Sequence, residues 1–551
     1  MSRSLASSID PLDSRNQDEY ATPLDYNPAD RLTGGQATAR AINNDIPPDV
    51  HEESSQQSPH YPESSENVVN ANAVAKPKKT PAQIAKSTAN FGFKMLIVYI
   101  SIFSVFIGIL SIYWGTLYRR DTRYKNMGFL VVSEDLPFEV DGSRLDPFLN
   151  DAFLSMIQNN ETVINLAKWE QITLSEFQES ARAHNNNITA EVYRKVHHQK
   201  YWAAVHIKPN ASQLIYRSLA TANFSLTASG EITELIDVVY ESGRQYSALS
   251  QYVSKHISQI EDVWLSSYVS QMIYEPIIKS LNDTQRLALL ANNNTISILA
   301  SKPAFNIIDL RPSPSSAVLG PSELGLIYAL LFSFHQFNFS LEIYNYIRTK
   351  LKFRHYLVWR FVASQINCLV LALVYSLITI AFQVPTNVAF GHSGFVVLWM
   401  FMYLYISASG GINENVVTVI LAFDQKVFLA PWMIFNIVIN ISSTFAPFVL
   451  MPGFYRYGFA LPMYNTYEAL KVVFFDTWKG NLGRNLGVLV IWIVVMNIVL
   501  VFNVQWANNR ARRIATEKKE AEKEKKRLEN EAKEKEQLAS DTSKDSKSST
   551  D

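Results

Sequence analysis

The chain has 551 residues, and its 50 basic and 50 acidic side chains cancel, which leaves no bulk attraction for nucleic acid. Cys368 is the only cysteine, so the chain has no internal disulfide framework, and no Cys/His cluster has the spacing of a metal site. The sequence also lacks a nucleotide-binding G-x-x-x-x-G-K-S/T loop and the G-x-S-x-G nucleophile motif. We therefore expect no enzyme activity, no metal and no cofactor.

The N-terminal part of the chain contains a polar tail and one apolar run. Residues 1–90 are rich in Ser, Pro, Asn, Gln and Asp, which predicts a disordered cytoplasmic tail. Met95–Trp114 contains no charged residue, and at about 1.5 Å per residue it can cross a hydrocarbon layer about 30 Å thick. Because a long polar segment precedes this run, we interpret it as an uncleaved signal anchor, with the first transmembrane helix over residues 95–117.

Residues 118–323 have the composition of a water-soluble domain inserted after the first transmembrane helix. Apolar runs at Gly128–Ser133 and Tyr201–Ile207 predict buried strands. Apolar residues at helical spacing predict one long amphipathic helix over Asp237–Met272. The sequence therefore predicts a mixed α/β ectodomain with its own hydrophobic core.

Polar side chains of this domain show no spacing that indicates catalysis. His197, His198 and His206 come closest to a set of metal ligands. We prefer to interpret them as exposed histidines without a ligand.

The distribution of N-x-S/T sequons indicates the side of the membrane on which this domain lies. Six sequons lie within residues 118–323, whereas the two tails contain none. Sequons are glycosylated only in the secretory lumen, so we expect a glycosylated extracellular or luminal domain. The predicted glycosylation sites are Asn160, Asn187, Asn210, Asn223, Asn282 and Asn293.

Charged residues almost disappear after Glu323, and long apolar runs replace them. Phe361–Asn413 has no charge but is too long for one helix, and the proline and polar residues of Gln383–Asn387 divide it. We therefore predict an α-helical membrane protein with six transmembrane helices, five of them in a domain over residues 324–506. The predicted spans after the first are residues 324–341, 361–382, 390–409, 427–450 and 485–506.

Basic residues predict the orientation of these spans. The positive-inside rule places the loop Arg348–Arg354 and the segment Arg510–Arg513 in the cytoplasm, together with both tails. We expect residues 507–551 to form a charged tail that begins as a solvated helix. Alternatively, the basic start of this tail contacts lipid of the inner leaflet. We interpret Asn415–Phe423 as an interfacial or helix-extending segment.

Uncharged polar side chains at membrane depth are the candidate functional residues. Such groups are costly when they face lipid, so we expect them to face the bundle interior or a water-filled path. Asn436, Asn440 and Ser443, with Thr444 beside them, form one stripe along the fifth span. The stripe either lines a transport route or supplies hydrogen bonds between helices. The transport-pathway candidates are His335, Gln336, Asn338, Asn436, Asn440 and Ser443, with Gln365, Asn367 and His392 nearby.

Charged side chains are expected only near the ends of the spans. We place Arg360 at the cytoplasmic end of the third span, and Glu414 and Asp424 near a membrane surface. A proton-coupled antiporter usually has a carboxylate near the membrane midplane, so this placement argues against drug/proton antiport.

The segment Pro303–Pro312 reads PAFNIIDLRP, and Gly325–Tyr328 and Ser333–Phe334 follow it at the second span. These segments resemble the signature of the fungal nitrosoguanidine-resistance family of multipass membrane proteins. Met451–Gly458, followed by Leu461 and Pro462, resembles the loop before the last span in this family and in ABC-2-type permeases. The one-plus-five arrangement also resembles bacterial Pip/YhgE-type proteins. The segments that resemble the family's ectodomain strands are Phe129–Asp135 and Tyr201–Pro209.

This resemblance implies a permease-like protein that confers resistance to toxic small molecules by export. We expect it in the plasma membrane, which it reaches through the secretory pathway. The resemblance also implies a link to phospholipid asymmetry. Expected partners are membrane lipids, small organic toxicants as substrates and further copies of the chain, but no nucleic acid. No ATPase domain is fused to the chain, which argues against an ATP-driven mechanism like that of ABC-2 permeases. The alternative is a non-transporting membrane scaffold, or a regulator of lipid translocation or protein trafficking.

Overall fold

The computed structural model describes residues 81–140 and 142–545. Most of the predicted N-terminal tail therefore lies outside the described residues. Within the described part, a first long helix, α1 (Pro81–Gly115), is followed by a region of mixed sheet and then by further long apolar helices. We call residues 128–309 the sheet domain and the helices that follow it the helix bundle. An α-helical membrane protein with an inserted α/β domain is confirmed at this level.

The sheet domain is built on a five-stranded mixed sheet with the strand order β4-β1-β5-β6-β7. β4, β1 and β5 run parallel, whereas β6 pairs antiparallel with β5 and parallel with β7. β2 and β3 form a separate hairpin. The strands are β1 (Gly128–Ser133), β2 (Phe138–Val140), β3 (Ser143–Leu145), β4 (Lys168–Gln171), β5 (Ala203–Ile207), β6 (Ile236–Tyr240) and β7 (Phe305–Asp309).

Short helices cover both faces of this sheet. They are α2 (Phe148–Asn159), α3 (Glu161–Ile164), α4 (Leu174–Arg182), α5 (Ile188–His197), α6 (Ala211–Ala220), α7 (Phe224–Ala228), α8 (Tyr246–Ala248), α9 (Ser254–Val263), α10 (Glu275–Ser280), α11 (Asp283–Ala291) and α12 (Thr295–Ala300).

The central strand β1 coincides with the predicted strand, and its burial explains its sequence. Phe129 and Val131 pack into the core on the side of α2, α6 and α9. Leu130 and Val132 pack into a second core on the side of α4 and α5. A strand that is buried on both faces has a continuous apolar run instead of an alternating one.

The predicted long helix over Asp237–Met272 is wrong at its beginning. Val238 and Val239 lie in β6, where pairing with β5 and β7 satisfies their backbone polar groups. The chain leaves the strand at Ser242, whose backbone N–H donates to Asp309 Oδ1 at 2.9 Å. Helical turns follow it, with π-helical stretches at Leu249–Val253 and Trp264–Tyr274. Strand pairing therefore overrides the helical spacing of the first apolar residues.

Five helices in the described part of the chain are long and apolar enough to cross a membrane: Phe91–Gly115, Ser316–Lys350, Phe353–Ala381, Gly391–Ala422 and Lys479–Lys533. The α-helices of the bundle are α13 (Gly325–Lys350), α14 (Phe353–Ala381), α15 (Gly394–Ala422), α16 (Leu429–Ser442), α17 (Pro462–Phe475) and α18 (Leu482–Asp545).

The predicted span over residues 427–450 contains a shorter helix than expected. α16 has 14 residues, which corresponds to about 21 Å and is less than a hydrocarbon layer of about 30 Å. The next segment turns at Pro447 and packs on the sheet domain, where Leu450 joins the core. Asn126 Nδ2 donates to the carbonyl oxygen of Val449 at 3.1 Å. The structure does not confirm a sixth membrane-crossing helix.

Of two further elements, one was predicted and one was not. Asn415–Phe423 belongs almost entirely to α15, so the helix-extending interpretation of this segment is confirmed. The prediction contained no helix at α17, which is buried over most of its length and carries Glu468 and Lys471. These charges divide an otherwise apolar sequence, and the helix packs between α15, α18 and the base of the sheet domain.

Candidate functional site in the helix bundle

A buried ion pair connects α14 and α15. Arg360 Nε lies 2.7 Å from Glu414 Oε1, and the two residues are 6% and 4% exposed. Arg360 lies about 10 Å along α14 from its start at Phe353, and Glu414 about 12 Å from the end of α15 at Ala422. Both charges are therefore buried inside the bundle, and their position near the membrane surface stays a prediction. Each charge is tolerated inside the bundle because the other neutralises it.

Polar and aromatic groups from three helices hold this ion pair. Arg360 donates to Tyr356 Oη and to Thr418 Oγ1, both at 3.3 Å. Ser364 Oγ donates to the second carboxylate oxygen of Glu414 at 3.3 Å. The guanidinium group also lies 5.2 Å from the ring centroid of Tyr344 on α13, within the range of a cation–π contact. The pair is therefore the point at which α13, α14 and α15 meet.

A cavity of about 240 Å³ opens beside Arg360 at the end of the bundle farthest from the sheet domain, which we call the distal end. Arg348 lies at its mouth and is exposed to solvent. The cavity is lined by Phe337, Leu341, Tyr344, Asn345, Arg348, Tyr356, Arg360, Thr418, Leu421, Ala422, Val504, Ala507 and Ala511.

A chain of buried amides begins at Asn413, which precedes Glu414 and faces α13 and α16. Asn413 Oδ1 accepts from Asn436 Nδ2 at 2.8 Å, and Asn413 Nδ2 donates to Ser333 Oγ on α13 at 3.2 Å. Asn440 Nδ2 donates to Asn436 Oδ1 at 3.0 Å, and Ser443 Oγ donates to the carbonyl oxygen of Asn440 at 2.7 Å. The structure therefore places Asn436, Asn440 and Ser443 of the predicted stripe inside the bundle, with the two asparagine side chains bonded to each other.

The remaining transport-pathway candidates lie apart from this chain of amides. His335 is exposed on the outer surface of the bundle and stacks on Phe339, with 6.1 Å between ring centroids, so it does not face the interior as expected. Gln336 accepts a weak hydrogen bond from Cys368 Sγ at 3.9 Å. Asn338 is partly buried, and no bond joins it to the stripe.

Three nearby polar residues also have separate environments. Gln365 Oε1 accepts from Tyr403 Oη at 3.0 Å and from Ser407 Oγ at 2.8 Å, which joins α14 to α15. Asn367 donates to Ser340 Oγ at 3.5 Å. His392 is exposed in the turn before α15.

Polar contacts fix the sheet domain to the bundle at the other end of the amide chain. Gln245 Nε2 donates to the carbonyl oxygen of Thr444 at 3.2 Å. Lys471 Nζ, on the buried helix α17, donates to the carbonyl oxygen of Arg244 at 2.6 Å. Burial lowers the pKa of Arg244 to about 10, and its guanidinium carbon lies 3.6 Å from the ring centroid of Trp202.

The histidines of the sheet domain do not converge on one site. His206 is 2% exposed in β5, and its Nε2 lies 2.8 Å from Glu134 Oε1, so the prediction of an exposed histidine is wrong for this residue. His197 Nδ1 instead lies 3.1 Å from Glu241 Oε2, just beyond the end of β6. His206 is buried because β5 is covered on both faces of the sheet.

Helix capping explains part of the sequon pattern. Asparagine is a favoured N-cap residue because its side-chain oxygen accepts a free backbone N–H of the first turn. Asn187, Asn210, Asn282 and Asn293 are exposed. The sequon asparagines whose side chains accept such a bond are Asn160, Asn187, Asn223 and Asn282, at the starts of α3, α5, α7 and α11.

Sequence reasoning missed the Arg360–Glu414 pair, although the sequence contained a signal for it. The two residues are the charges that bound the charge-free run Phe361–Asn413. A run that folds into two antiparallel helices brings its two ends together. Opposite charges at those ends are therefore predicted to meet.

The profile of a family described as protein of unknown function, DUF3533, matches residues 98–498. The chain belongs to the DUF3533 family. An uncharacterized endoplasmic reticulum membrane protein of Saccharomyces cerevisiae is 28% identical over 437 residues, which cover 79% of this chain and 83% of the yeast protein. No solved structure matches the chain significantly. The match to a membrane protein agrees with the several apolar helices of this DUF3533 protein, and supports a multipass membrane protein.

The DUF3533 match includes both parts of the candidate site. It extends from α1 to α18 and contains the sheet domain, the ion pair and the amide chain. It excludes the polar N-terminal tail and the charged C-terminal tail.

Proposed function

We propose that this protein is a permease-like membrane protein that exports toxic small molecules and so confers resistance to them. The supporting observation is a line of polar side chains through the bundle. It begins at the distal cavity with Arg360 and Glu414, continues through Asn413, Asn436 and Asn440, and ends beside Thr444 under the sheet domain. Polar groups inside a membrane commonly mark a substrate or ion route.

In this proposal the route is closed in the described conformation. Hydrogen bonds link Asn413 to Asn436 and Asn436 to Asn440, and Asn436, Asn440 and Ser443 are at most 5% exposed. Opening requires α16 to move away from α15. The short length of α16 and the turns that flank it make this helix the movable element.

The ion pair of Arg360 with Glu414 joins α14 to α15 at the distal end of the proposed route. Because the sequence contains no nucleotide-binding motif, an ion gradient is the energy source we propose. A separate ATPase partner is the alternative source.

We further propose six spans, with the tails of residues 1–90 and 507–551 in the cytoplasm and the sheet domain on the luminal or extracellular side. The distal cavity then opens to the cytoplasm, which suits export. Plasma-membrane localisation belongs to the same proposal, whereas the yeast relative is named an endoplasmic reticulum membrane protein. Fluorescence microscopy of the tagged full chain distinguishes the two compartments.

The test is efflux of a toxic fluorescent organic anion from liposomes that contain the purified full-length protein, with and without a proton gradient. We expect gradient-dependent efflux, and its loss when Asn436 and Asn440 are both replaced by leucine. The control is Ile434→Ala, because Ile434 is exposed on the other face of α16. Efflux that is equal with the leucine variant and with the parent would contradict the route, provided that both proteins reconstitute to the same level.

The hydrogen bonds that join the asparagine side chains of the stripe to each other and to α15 favour a second function. If the amides only connect α13, α15 and α16, the protein is a non-transporting scaffold or regulator of lipid translocation or protein trafficking. In that case no efflux is measured, and the Asn436→Leu/Asn440→Leu variant changes thermal stability without changing resistance of the cells.

A further inference from the structure

The distal cavity has an excess of positive charge. Arg348 and Arg360 line it, and Arg510 Nε donates at 3.0 Å to the carbonyl oxygen of Ala422, another lining residue. Glu414 is the carboxylate that faces Arg360. Three guanidinium groups against one carboxylate create a positive potential at the mouth, which attracts anions.

The rest of the cavity wall is largely apolar. Phe337, Leu341 and Val504 supply hydrocarbon contacts, and Asn345 adds a hydrogen-bonding side chain near the mouth. The volume of about 240 Å³ is smaller than the roughly 300–1,000 Å³ of a pocket for a drug-sized ligand. The cavity therefore has room for a polar headgroup and a few methylene groups, but not for a complete lipid.

The two lining arginines retain capacity for an anion. Arg360 bonds to Tyr356 and Thr418 at 3.3 Å, which is longer than its 2.7 Å bond to Glu414. A charge-assisted bond to a phosphate or carboxylate oxygen is shorter and about twice as strong as a neutral one, so it readily replaces these two. Arg348 forms a side-chain bond to Asn508 at 2.9 Å, and its remaining N–H groups are near solvent.

We propose that the distal cavity binds the phosphate or carboxylate group of an anionic amphiphile, with its apolar part against Phe337, Leu341 and Val504. Arg348 meets the anion at the mouth, and Arg360 bonds to it at the floor of the cavity. This names the substrate class at the cavity from which the proposed export begins. It rests on that function for the direction of transport only, because binding at equilibrium requires no transport.

The test is native mass spectrometry of the purified full-length protein, titrated separately with phosphatidic acid, phosphatidylcholine and inorganic phosphate. We expect phosphatidic acid to bind about tenfold more tightly than phosphatidylcholine, because one charge-assisted contact of this kind contributes roughly that factor. Arg348→Gln should abolish most of this preference. So should the double variant Arg360→Gln/Glu414→Gln, which removes both charges of the pair together. Arg512→Gln is the matched control, because Arg512 is exposed on α18 and does not line the cavity.

The competition experiment distinguishes the two sources of the anion. Inorganic phosphate that displaces phosphatidic acid identifies the free anion as sufficient for binding, whereas phosphate without effect identifies the lipid headgroup. Equal affinity for the two lipids, or a preference that Arg348→Gln leaves unchanged, overturns the proposal. If the double variant does not fold, Arg348→Gln decides alone. The Asn436→Leu/Asn440→Leu variant separates the two proposals, because it should lose efflux but keep its affinity for phosphatidic acid.

Discussion

Arg360 Nε lies 2.7 Å from Glu414 Oε1, so one ion pair closes the hairpin of α14 and α15 inside the bundle. The residues on either side of Glu414 connect this pair to the rest of the bundle. Asn413 bonds to α16 and α13, and Asn415 Nδ2 donates to the carbonyl oxygen of Met496 on α18 at 2.9 Å. Three consecutive residues of α15 therefore contact four different helices, which makes this turn of α15 the polar centre of the bundle.

Loss of one partner of the ion pair should be strongly destabilising. Arg360→Ala leaves the Glu414 carboxylate buried without a counter-charge, which costs about 3–5 kcal/mol. We expect a clearly lower midpoint of thermal unfolding for the detergent-solubilised protein, measured by the loss of monodisperse protein in gel filtration.

The matched control is the double variant Arg360→Met/Glu414→Leu. Replacing a buried pair with apolar side chains of similar volume is often neutral or stabilising. The midpoint should therefore return close to that of the parent. A double variant that is as unstable as Arg360→Ala would show that packing at residue 360, and not charge, determines the result.

Gly243 packs closely against the buried helix α17. A Cβ atom at this position would lie 2.5 Å from the Cβ atom of Phe475 and 3.2 Å from the carbonyl oxygen of Arg311. Gly243→Ala should therefore separate the two parts and expose the segment between β6 and α9 to protease. Limited proteolysis of the full-length protein measures this, and Gly453→Ala is the control because no atom lies within 4 Å of its added Cβ. Identical cleavage of the two variants would contradict the prediction.

Acid should destabilise the sheet domain in two steps. Burial lowers the pKa of His256 from 6.5 to about 4, so the folded domain binds fewer protons than the unfolded chain in this range. The stability that this group contributes is complete above pH 6.5 and is lost as the pH falls towards 4. Glu191 is buried as well, but hydrogen bonds from Arg194, Asn186 and Ser180 outweigh burial and lower its pKa from 4.5 to about 2. Its contribution is present above pH 4.5 and is lost below that value.

Variants separate these steps from the titration of other groups, such as Asp135. Burial raises the pKa of Asp135, so this group changes the stability in the opposite direction as the pH falls. Thermal unfolding of the full chain, followed by tryptophan fluorescence at several pH values, gives the measurement. His256→Gln should flatten the decrease in unfolding midpoint between pH 6.5 and 4, whereas Glu191→Gln should flatten it only below pH 4.5. A curve for His256→Gln parallel to that of the parent across the upper range would refute the assignment.

The exposed sequon asparagines should carry the N-glycans. Asn187, Asn210, Asn282 and Asn293 are exposed, whereas Asn160 and Asn223 are partly buried. Endoglycosidase treatment should increase the gel mobility of the protein, and most of that change should disappear when the four exposed asparagines are replaced by glutamine. Asn338→Gln is the control because this sequon lies within α13. An absent mobility change, together with tails that protease reaches from outside intact cells, would reverse the proposed topology.

The sequence by itself determined the order of the parts. A charge-free run of membrane length, a polar domain and further apolar runs follow from composition alone, because the bilayer requires long uninterrupted apolar helices. β1 and β5 were predictable for the same local reason, since strands buried on both faces need continuous apolar residues. The inward orientation of Asn436 and Asn440 follows from the cost of polar groups that face lipid.

Only the tertiary structure decided which local pattern prevailed where two were possible. The start of the predicted helix became β6 because the edges of β5 and β7 were available for pairing, which periodicity within one segment does not reveal. α17 carries charged residues, which are expected to be exposed to solvent. Lys471 is nevertheless only 4% exposed, because its ammonium group bonds to Glu468 and to a carbonyl oxygen of the sheet domain. Arg360 and Glu414 likewise lie inside the bundle only because each supplies the other's counter-charge. Their partners come from residues distant in the chain, so the burial of these charges depends on contacts that exist only after folding.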